Sequence, residues 1–397
     1  MRKATSAGPD PSDVFPSAQP KPIVPRRDFL LAAASGIAAT GMHSSIGPMK
    51  ASAELTNVLS QNREPFEPYG IHEFLTRRSI YKNEADVIRA LGMMKAAGIQ
   101  WIRTEASWEQ IEPQRGQFNE PQLERIDMVF DQAAKLGLKA CLYLIGSARW
   151  ASSAPDDKDF WSFAPKNLDD WSRHVEMLVR RYGAKTSHWE IWNEIDLPRF
   201  WKSGLERYVD CLKAAYRVIK GVDRSQRVIL AGLATNGVNA IVINGQVRSE
   251  NRTLQRLYDF GAATNFDIFA IHAYHQPREG RREFPARKVK IAYEVMQSNG
   301  DAGKPIWVNE IGLSTLLNPP QMAVTQEEQA AHLATQYPAL LSLPFVEKVF
   351  WYDFLCRGAN PNDREDQFGI VNPDWTPRPA YDAYRRMDKR ATRPGPS

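Results

Sequence analysis

Two glutamates stand at the ends of two apolar, strand-like stretches. Glu194 lies in HWEIWNEIDLPRFW, residues 188–201, and Glu310 lies in KPIWVNEIGLS, residues 304–314. Each follows an asparagine and a run of alternating aromatic, aliphatic and polar residues, which is typical of a buried strand that leads into a loop. Two carboxylates aimed into one pocket from two strands are the minimum equipment for cleaving a glycosidic bond. This pair is the candidate catalytic centre.

The rest of the chain from residue 67 alternates short apolar runs with longer amphipathic ones. The pattern predicts strands at 68–72, 99–105, 138–145, 187–194, 227–234, 266–274, 305–312 and 348–354, each followed by a helix, from 84–97 to a last one at 379–389. Eight strand–helix repeats predict a single (β/α)8 TIM barrel. The alternative, an open doubly wound sheet, predicts a phosphate-binding glycine motif, and the sequence contains neither G-x-G-x-x-G nor G-x-x-x-x-G-K.

In a barrel of this kind, functional side chains gather at the C-terminal ends of the strands. Strands four and seven lie across the barrel from each other, so Glu194 and Glu310 can be about 5 Å apart, the separation of a retaining rather than an inverting mechanism. The polar and aromatic residues expected at the strand ends are His72, Arg103, Glu105, Asn193, Glu194, His272, Tyr274, Glu310, Trp351 and Asp353.

Strand four raises a geometric difficulty. Strict alternation puts Glu190, Trp192 and Glu194 on one face and Asn193 on the other, so Asn193 and Glu194 reach one site only if the strand bends or bulges at its end. Glu190 then points inward lower in the barrel, where we expect a structural ion-pair partner rather than a third catalytic acid.

The same stretches resemble those of known enzymes. WEIWNE around Glu194, WVNEIG around Glu310, SWEQIEPQRGQFN at 107–119 and FWYDF on strand eight are similar to motifs of the retaining glycoside hydrolases of clan A, most of all family 39. The resemblance covers about residues 67–390. It implies that Glu194 is the acid/base, Glu310 the nucleophile and Asn193 a donor to the sugar 2-hydroxyl. Further expected contacts of the substrate or the nucleophile are Tyr274, His272, Arg103, His72 and Trp351, the last as the apolar floor under the cleaved sugar.

Physical chemistry supports these two roles. Glu194 must be protonated to donate to the leaving oxygen. An apolar setting from Trp189, Trp192 and Ile195 and the negative charge of Glu310 would favour the protonated form. Glu310 must stay ionised to attack the anomeric carbon, and a neighbouring cation such as Arg103 would keep it so. After glycosyl transfer, Glu194 can act as a base on water.

Other aromatic residues have two interpretations. Trp150, Trp161 and Phe163, in the long loop after strand three, fit sugar platforms and loop packing equally well. Trp108 and Trp201 directly follow strands two and four, which favours the site, and we take Trp108 and Trp150 as candidate substrate contacts.

No metal or organic cofactor is expected. His272 and His275 are an odd number of residues apart on a strand and so face opposite sides, which argues against a metal site. A metal-dependent barrel enzyme remains an alternative that sensitivity to EDTA would support.

The first part of the sequence has the features of an export signal. Residues 1–24 are rich in Pro, Ser and Ala, and Arg26-Arg27 then precede a short apolar run and an A-x-A triplet at 51–53. This resembles a twin-arginine signal, cleaved to leave a linker at 54–66 and a barrel at 67–397, with an uncleaved membrane anchor as the alternative. The expected location is periplasmic or extracellular.

The net charge and the cysteine spacing limit which partners and cysteine roles can be expected. Net charge is +5, of which +3 lies in residues 1–53, so the body is nearly neutral and gives no reason to expect nucleic acid. Cys141, Cys211 and Cys356 have no CxxC spacing and are expected to be buried small hydrophobes.

We therefore expect an exported retaining glycosidase that acts on a polysaccharide or oligosaccharide, with no stable membrane span after processing. Family 39 β-xylosidases usually carry a β-sandwich after the barrel, and this sequence ends with its last helix, which favours endo action on a β-linked exopolysaccharide. The alternatives are an exo-acting β-xylosidase-like enzyme and a non-catalytic polysaccharide-binding barrel of an export system. Oligomeric state does not follow from the sequence.

Overall fold

The computed structural model describes residues 66–234, 253–274, 284–316, 324–357 and 362–389, and the backbone of two short antiparallel strands, Ala240–Ile243 and Gln246–Ser249. The expected export segment at 1–53, the linker up to residue 65 and His275 lie outside these residues. Within the described part of the chain, no helix has the length and apolar character needed to cross a membrane.

Eight parallel strands form the centre of the molecule. They are β1 (Tyr69–His72), β2 (Trp101–Ser107), β3 (Lys139–Ile145), β4 (His188–Asn193), β5 (Arg227–Gly232), β6 (Phe269–His272), β7 (Ile306–Ile311) and β8 (Val346–Tyr352). The sheet runs in the order β5-β4-β3-β2-β1-β8-β7-β6. Parallel bridges between Ile229 and Ile268 and between Leu233 and Ile271 join β5 to β6, so the sheet nearly closes. The predicted (β/α)8 barrel is confirmed.

Helices follow the strands and cover the barrel. They are α1 (Glu84–Ala96), α2 (Glu120–Lys135), α3 (Leu168–Tyr182), α4 (Leu205–Val222), α5 (Thr253–Asp259), α6 (Phe284–Ser298), α7 (Gln326–Leu341) and α8 (Pro379–Arg386). Their ends show the expected local chemistry. Thr325 and Glu328 form a reciprocal capping box at the start of α7, and Gly98 and Gly137 take positive φ of 77° and 66° just after α1 and α2.

Apolar side chains fill the lower half of the barrel interior, away from the C-terminal ends of the strands. This cluster consists of Trp101, Cys141, Ile229, Ile268, Ala270, Trp307 and Phe350, all buried. A much larger apolar layer lies between the strands and the helices. All three cysteines are buried and free, as expected from their spacing. Since the lower barrel is packed, the polar groups at the C-terminal strand ends form the floor of the candidate site.

Candidate active site

The end of β4 bends, as it must if Asn193 and Glu194 are both to reach the site. Trp192 and Glu194 both have positive φ, 73° and 43°, a conformation that costs a non-glycine residue roughly 1–3 kcal/mol. The kink turns Trp192 outward, where its ring contacts Trp171 and Trp201. Asn193 still pairs with Gly232, and the backbone N–H of Glu194 donates to the Gly232 carbonyl at 2.9 Å. Trp192 therefore belongs to the outer layer rather than to the expected apolar setting of Glu194.

The bend brings the two candidate catalytic carboxylates together. One carboxylate oxygen of Glu194, one of Glu310 and a ring nitrogen of His272 all lie within 4.8 Å of one another. His272 Nδ1 is 2.7 Å from Glu194 Oε1 and 3.3 Å from Glu310 Oε2. The side chains of Glu194 and Glu310 are 13% and 7% exposed, so both are shielded but still reachable. The spacing matches the value of about 5 Å expected from strands four and seven.

Glu310 is surrounded by hydrogen-bond donors. Its Oε1 accepts from Arg103 at 2.7 Å and lies 2.9 Å from His72 Nδ1, while its Oε2 accepts from the Tyr274 hydroxyl at 2.7 Å. Burial by itself raises the pKa of Glu310, but His272, His72 and Arg103 outweigh burial and hold that pKa well below its usual range. Glu310 is therefore an ionised carboxylate.

Arg103 organises the floor of the site. Its fully buried guanidinium contacts both oxygens of Glu190, at 2.6 and 2.9 Å, and lies over the Tyr143 ring at 4.2 Å. Glu190 is thus the structural ion-pair partner that the sequence predicts. Arg103 also donates to Asn193 Oδ1 at 2.7 Å, which leaves the amide NH2 of Asn193 as the end free to meet a sugar hydroxyl.

The two histidines of the site differ in charge. Burial, followed by the positive charge of Arg103, lowers the pKa of His72 to about 3, so this ring is neutral. Burial also lowers the pKa of His272, but the negative charges of Glu310 and Glu194 outweigh burial and raise it above the usual value. His272 is therefore the more basic ring and can share its Nδ1 proton with either carboxylate.

Trp351 does not form the floor of the sugar site, which corrects the sequence prediction. Its ring is fully buried and lies 6.1 Å from His332 of α7, in the layer between strand and helix. Tyr352 occupies the inward position instead, with its ring 5.2 Å from His72 and 6.1 Å from Tyr274. The reason is strand alternation: Phe350 packs inside the barrel, so Tyr352 faces inward and Trp351 outward.

Several members of the site were not singled out by sequence reasoning. Tyr352 belongs to an aromatic wall with Phe74 and Phe368, whose rings lie 6.1 and 5.1 Å from it. Gly232 and Asn309 hold Glu190 through their nitrogens at 3.0 and 2.9 Å. Counting two residues forward from Phe350 would have found Tyr352, whereas nothing local marks Phe368.

Two predicted strand-end acids serve other partners. Glu105 accepts hydrogen bonds from Arg77 and from the Tyr143 hydroxyl, the latter at 3.0 Å. Asp353 is buried and contacts Arg357 at 3.2 Å. Neither carboxylate forms a hydrogen bond with Glu194 or Glu310, so both support the wall of the site instead.

Trp108 and Trp150 pack within the protein, which corrects their assignment as substrate contacts. Trp108 is fully buried, stacks on His174 at 4.7 Å and donates to Glu112 at 2.8 Å. The Trp150 ring meets Trp108 edge to face at 5.6 Å and donates to the Glu112 carbonyl at 2.8 Å. Trp201 is likewise buried and bonded to Gly204. Glu112 explains the positions of Trp108 and Trp150, because it accepts a hydrogen bond from each of their indoles.

The cluster of Glu194, His272 and Glu310 is also close enough to offer three ligand atoms to a metal ion. Arg103 places a permanent positive charge 2.7 Å from Glu310, which opposes the binding of a cation. The arrangement suits acid/base and nucleophilic chemistry by the carboxylates themselves.

Comparison with known proteins finds similarity to glycoside hydrolases. A family model described as glycosyl hydrolase catalytic core matches residues 224–369, and a beta-galactosidase model matches residues 82–150. A beta-xylosidase of Caldicellulosiruptor saccharolyticus is 23% identical over 290 residues, which cover 66% of this chain and 56% of that protein. The chain therefore spans little more than half the length of that relative.

Solved structures of similar fold include a family 39 glycoside hydrolase from the gut symbiont Bacteroides cellulosilyticus WH2, with a TM-score of 0.63, 22% identity, and coverage of 81% of this chain and 63% of that one. A GH5_18 protein of Streptomyces cattleya in complex with Manb1-4GlcNAc has a TM-score of 0.62 and 16% identity, with 83% of each chain covered. Exo-beta-1,4-mannosidase from Opitutaceae bacterium strain TAV5 has a TM-score of 0.60 and 17% identity, covering 81% of this chain and 58% of its own.

These findings confirm the class predicted from the sequence. The nearly closed barrel and the two glycoside hydrolase models fit a glycoside hydrolase of clan A, and the family 39 structure has the same fold. The identities are low, so the likeness to each solved structure concerns the fold.

Proposed function

We propose that this chain is a retaining β-glycosidase in which Glu194 is the acid/base and Glu310 the nucleophile. The observation that carries the proposal is the pair of carboxylate oxygens within 4.8 Å of each other at the ends of β4 and β7. A retaining mechanism places its two carboxyl groups about 5 Å apart, while an inverting one needs roughly 6.5–9.5 Å to admit water. The β-linkage is supported by the names of the matched relatives, a beta-galactosidase model, a beta-xylosidase and a beta-1,4-mannosidase.

In the first step, Glu310 attacks the anomeric carbon as the glycosidic bond breaks. The donors on both of its oxygens keep it ionised and fix its direction, which lowers the entropy cost of the attack. Glu194 gives its proton to the leaving oxygen, and His272 at 2.7 Å holds its carboxyl group in position. The product is a covalent glycosyl ester of Glu310.

In the second step, water takes the place of the leaving group. Glu194, which gave its proton to the leaving group in the first step, is now a carboxylate and takes a proton from the attacking water. Attack on the anomeric carbon releases Glu310 and restores the original configuration. Asn193, fixed by Arg103, is placed to donate to the 2-hydroxyl as charge develops on the sugar ring.

Trapping the covalent ester tests the mechanism. The barrel would be incubated with activated 2-deoxy-2-fluoro β-glycosides of xylose, glucose, galactose and mannose, and its intact mass measured, followed by peptide mapping. We expect a stable adduct on Glu310 with at least one sugar, which would also identify the sugar bound at the cleavage point. An adduct on another residue would refute the assignment.

Azide rescue separates the roles of the two carboxylates. With an activated substrate, Glu194→Ala plus azide should form the β-glycosyl azide, because azide replaces the deprotonated base and attacks the ester. Glu310→Ala plus azide should form the α-glycosyl azide by direct displacement. Glu190→Gln is unsuitable as a control, since Glu190 pairs with Arg103, whereas the exposed Glu206→Gln should leave the kinetics unchanged. Exchanged product configurations would reverse the assignment.

Endo action on a polysaccharide is part of the proposal. Time-resolved product analysis should show oligosaccharides of mixed length early in the reaction. Release of monosaccharides alone would instead favour the exo-acting alternative, to which the beta-xylosidase relative points. Binding of polysaccharide without turnover, unchanged in Glu310→Gln, would favour a binding barrel, and loss of activity in EDTA would favour metal-dependent chemistry.

We also propose export through the twin-arginine signal, with residues 1–53 as the signal, 54–66 as linker and 67–397 as the catalytic barrel. The support is the Arg26-Arg27 pair, the weakly apolar run after it and the A-x-A triplet at 51–53.

A further inference from the structure

Two partly exposed aromatic rings lie together at the rim of the barrel. Trp161, in the short turn Phe160–Ser162, and Phe200, in the loop after β4, meet edge to face with ring centroids 6.0 Å apart. We call this pair the aromatic ledge. Unlike the indoles of Trp108, Trp150 and Trp201, the Trp161 indole makes no hydrogen bond to any of the described residues. The ring is partly exposed, so a face remains available for a ligand.

The ledge is fixed to the C-terminal ends of β3 and β4. The Trp161 carbonyl accepts from Ser147 N at 3.0 Å, two residues past the end of β3. The Phe200 carbonyl accepts from the Trp192 indole at 2.9 Å. Lys202 links the two loops, since its N–H donates to the Ser162 carbonyl at 2.8 Å and its ammonium pairs with Asp159 at 2.9 Å. The backbone that carries each ring is therefore held in place before a substrate arrives.

The ledge is on the Glu194 side of the site. The chain leaves Glu194 through a turn closed by Leu197 N and the Glu194 carbonyl at 2.9 Å, and a second turn from Leu197 to Phe200 follows directly. The aromatic wall of Phe74, Tyr352 and Phe368, in contrast, comes from the residues after β1, from β8 and from the residues after β8. Because the acid must face the leaving oxygen, the side that holds the ledge is the side of the leaving group.

We propose that Trp161 and Phe200 form a binding subsite for the sugar residue on the leaving-group side of the cleaved bond. The flat apolar faces of a pyranose ring pack well on aromatic rings, and a rigid ledge gains affinity because little entropy is lost on binding. The ligand class is therefore a β-linked oligosaccharide or polysaccharide rather than a glycoside of a small alcohol. This inference rests on the proposed function, since it assigns the leaving group to the Glu194 side.

Glycosyl fluorides isolate this subsite. Fluoride leaves without occupying the position of a second sugar, so its hydrolysis needs Glu310 and the glycone pocket but not the ledge. For the sugar that the wild-type barrel accepts, kcat/KM would be measured on the β-linked oligosaccharide and on the fluoride donor. We expect Trp161→Ala to lose about tenfold or more on the oligosaccharide, the equivalent of one aromatic contact, and less than twofold on the fluoride.

Matched variants control for folding. Phe200→Ala removes the second ring of the ledge and should show the same split between substrates. Phe163→Ala removes a partly exposed aromatic ring of the same loop, which lies 5.3 Å from the Lys202 ammonium rather than in the ledge, and should change neither substrate. Thermal unfolding of all three variants would show whether the barrel is intact.

Different results would overturn the leaving-group subsite and the glycosidase function. Equal losses on both substrates, or no loss on the oligosaccharide in either ledge variant, would overturn the subsite while the glycosidase assignment stands. A wild-type barrel that hydrolyses none of the fluorides of xylose, glucose, galactose and mannose would overturn the proposed function. As a second readout, added disaccharide should accelerate consumption of the fluoride through transfer in the wild type, and this stimulation should disappear in Trp161→Ala.

Discussion

At the scale of single residues, Tyr274 contributes one hydrogen bond to Glu310. Tyr274→Phe removes the donor at 2.7 Å and keeps the ring. A hydrogen bond to a charged group contributes about 1.5–3 kcal/mol, so we expect kcat/KM to fall about 10–100-fold. The pKa of Glu310 should rise when a donor is lost, which moves the acidic limb of the kcat/KM profile to higher pH. Steady-state kinetics from pH 3 to pH 8 would measure both effects.

Tyr352→Phe is the matched control for this prediction. Its hydroxyl is in the same aromatic wall but contacts Glu365 at 3.1 Å and Arg357 at 2.8 Å rather than Glu310. The acidic limb should stay where it is in this variant. A shift of similar size in both variants would show that the wall as a whole, and not the donor on Glu310, sets the limb.

Asp196, two residues after Glu194, is a partly buried acid that the mechanism does not use. Its Oδ1 accepts from Ala234 N at 2.9 Å, and burial, with the nearby charge of Glu194, raises its pKa to about 7. A raised pKa means that the folded state holds the proton more tightly than the unfolded state. The stability cost of ionising Asp196 is therefore absent below pH 3.8, the ordinary value, and complete above about pH 7.

We expect Asp196→Asn to be more stable than the wild type at pH 8 by about 2–4 kcal/mol, with a smaller difference at pH 5, because the amide never ionises. Urea unfolding at both pH values would measure the difference. Glu206→Gln, at an exposed site in the first turn of α4, should change stability by no more than a few tenths of a kcal/mol and equally at both. A pH-independent gain in Asp196→Asn would contradict the assigned cost.

Sequence reasoning located Glu194, Glu310, Arg103, His72, His272 and Tyr274 at the strand ends that the structure brings together. It succeeded there because strand pattern and residue chemistry are local properties. It assigned Trp351, Trp108 and Trp150 wrongly, since the face on which an aromatic ring lies depends on strand parity and on partners from distant loops. Glu112, which holds two of the indoles, is one such partner.

At the scale of elements, the close approach of β5 to the catalytic cluster depends on a glycine. A Cβ at Gly232 would lie 2.4 Å from His272 Nε2 and 2.7 Å from Asn309 Oδ1. Gly232→Ala should therefore displace His272 from both carboxylates. We expect kcat/KM to fall about 100-fold, the cost of a misplacement near 1 Å, with a loss of about 1–3 kcal/mol in stability. Kinetics and thermal unfolding of the same sample would separate the two effects.

Gly221→Ala gives the opposite case for comparison. Gly221 lies in α4, and a Cβ there would meet nothing within 4 Å. Alanine should stabilise the helix by about 0.5–1 kcal/mol and leave kcat/KM unchanged. If Gly232→Ala proved as active as Gly221→Ala, β5 would not position His272.

Predicting the elements was easier than predicting their ends. All eight predicted strands are present, because apolar runs separated by amphipathic helices admit few other folds. The kink of β4 was anticipated only because two polar neighbours had to reach one site. The positive φ of Trp192 and Glu194 follows from tertiary packing, as Trp192 inserts between Trp171 and Trp201, and no local propensity indicates it.

At the scale of the whole molecule, the candidate site and the core are both built from residues 66–389. The first and last strands of the barrel, β1 and β8, are 280 residues apart in sequence but pair from Tyr69 with Val349 to His72 with Tyr352. The strand pattern of the sequence indicates that the barrel closes. Which loops then come into contact is set by three-dimensional packing. This is why the ledge partners Trp161 and Phe200 could not be paired from sequence.

The last prediction concerns residues 1–53, the proposed export signal, which contribute no residue to the candidate site. If residues 1–53 act only as an export signal, replacing Arg26 and Arg27 by Lys should stop export without changing catalysis, because the receptor reads the arginine pair while the barrel folds before transport. Cell fractionation in a bacterium with a twin-arginine system should show full-length chain retained in the cytoplasm, with the kcat of the purified barrel unchanged. Arg2→Lys, outside the motif, is the control and should be exported and shortened normally. Equal export of both variants would refute the signal, whereas a retained but membrane-bound, full-length wild type would show that the segment serves as an uncleaved anchor.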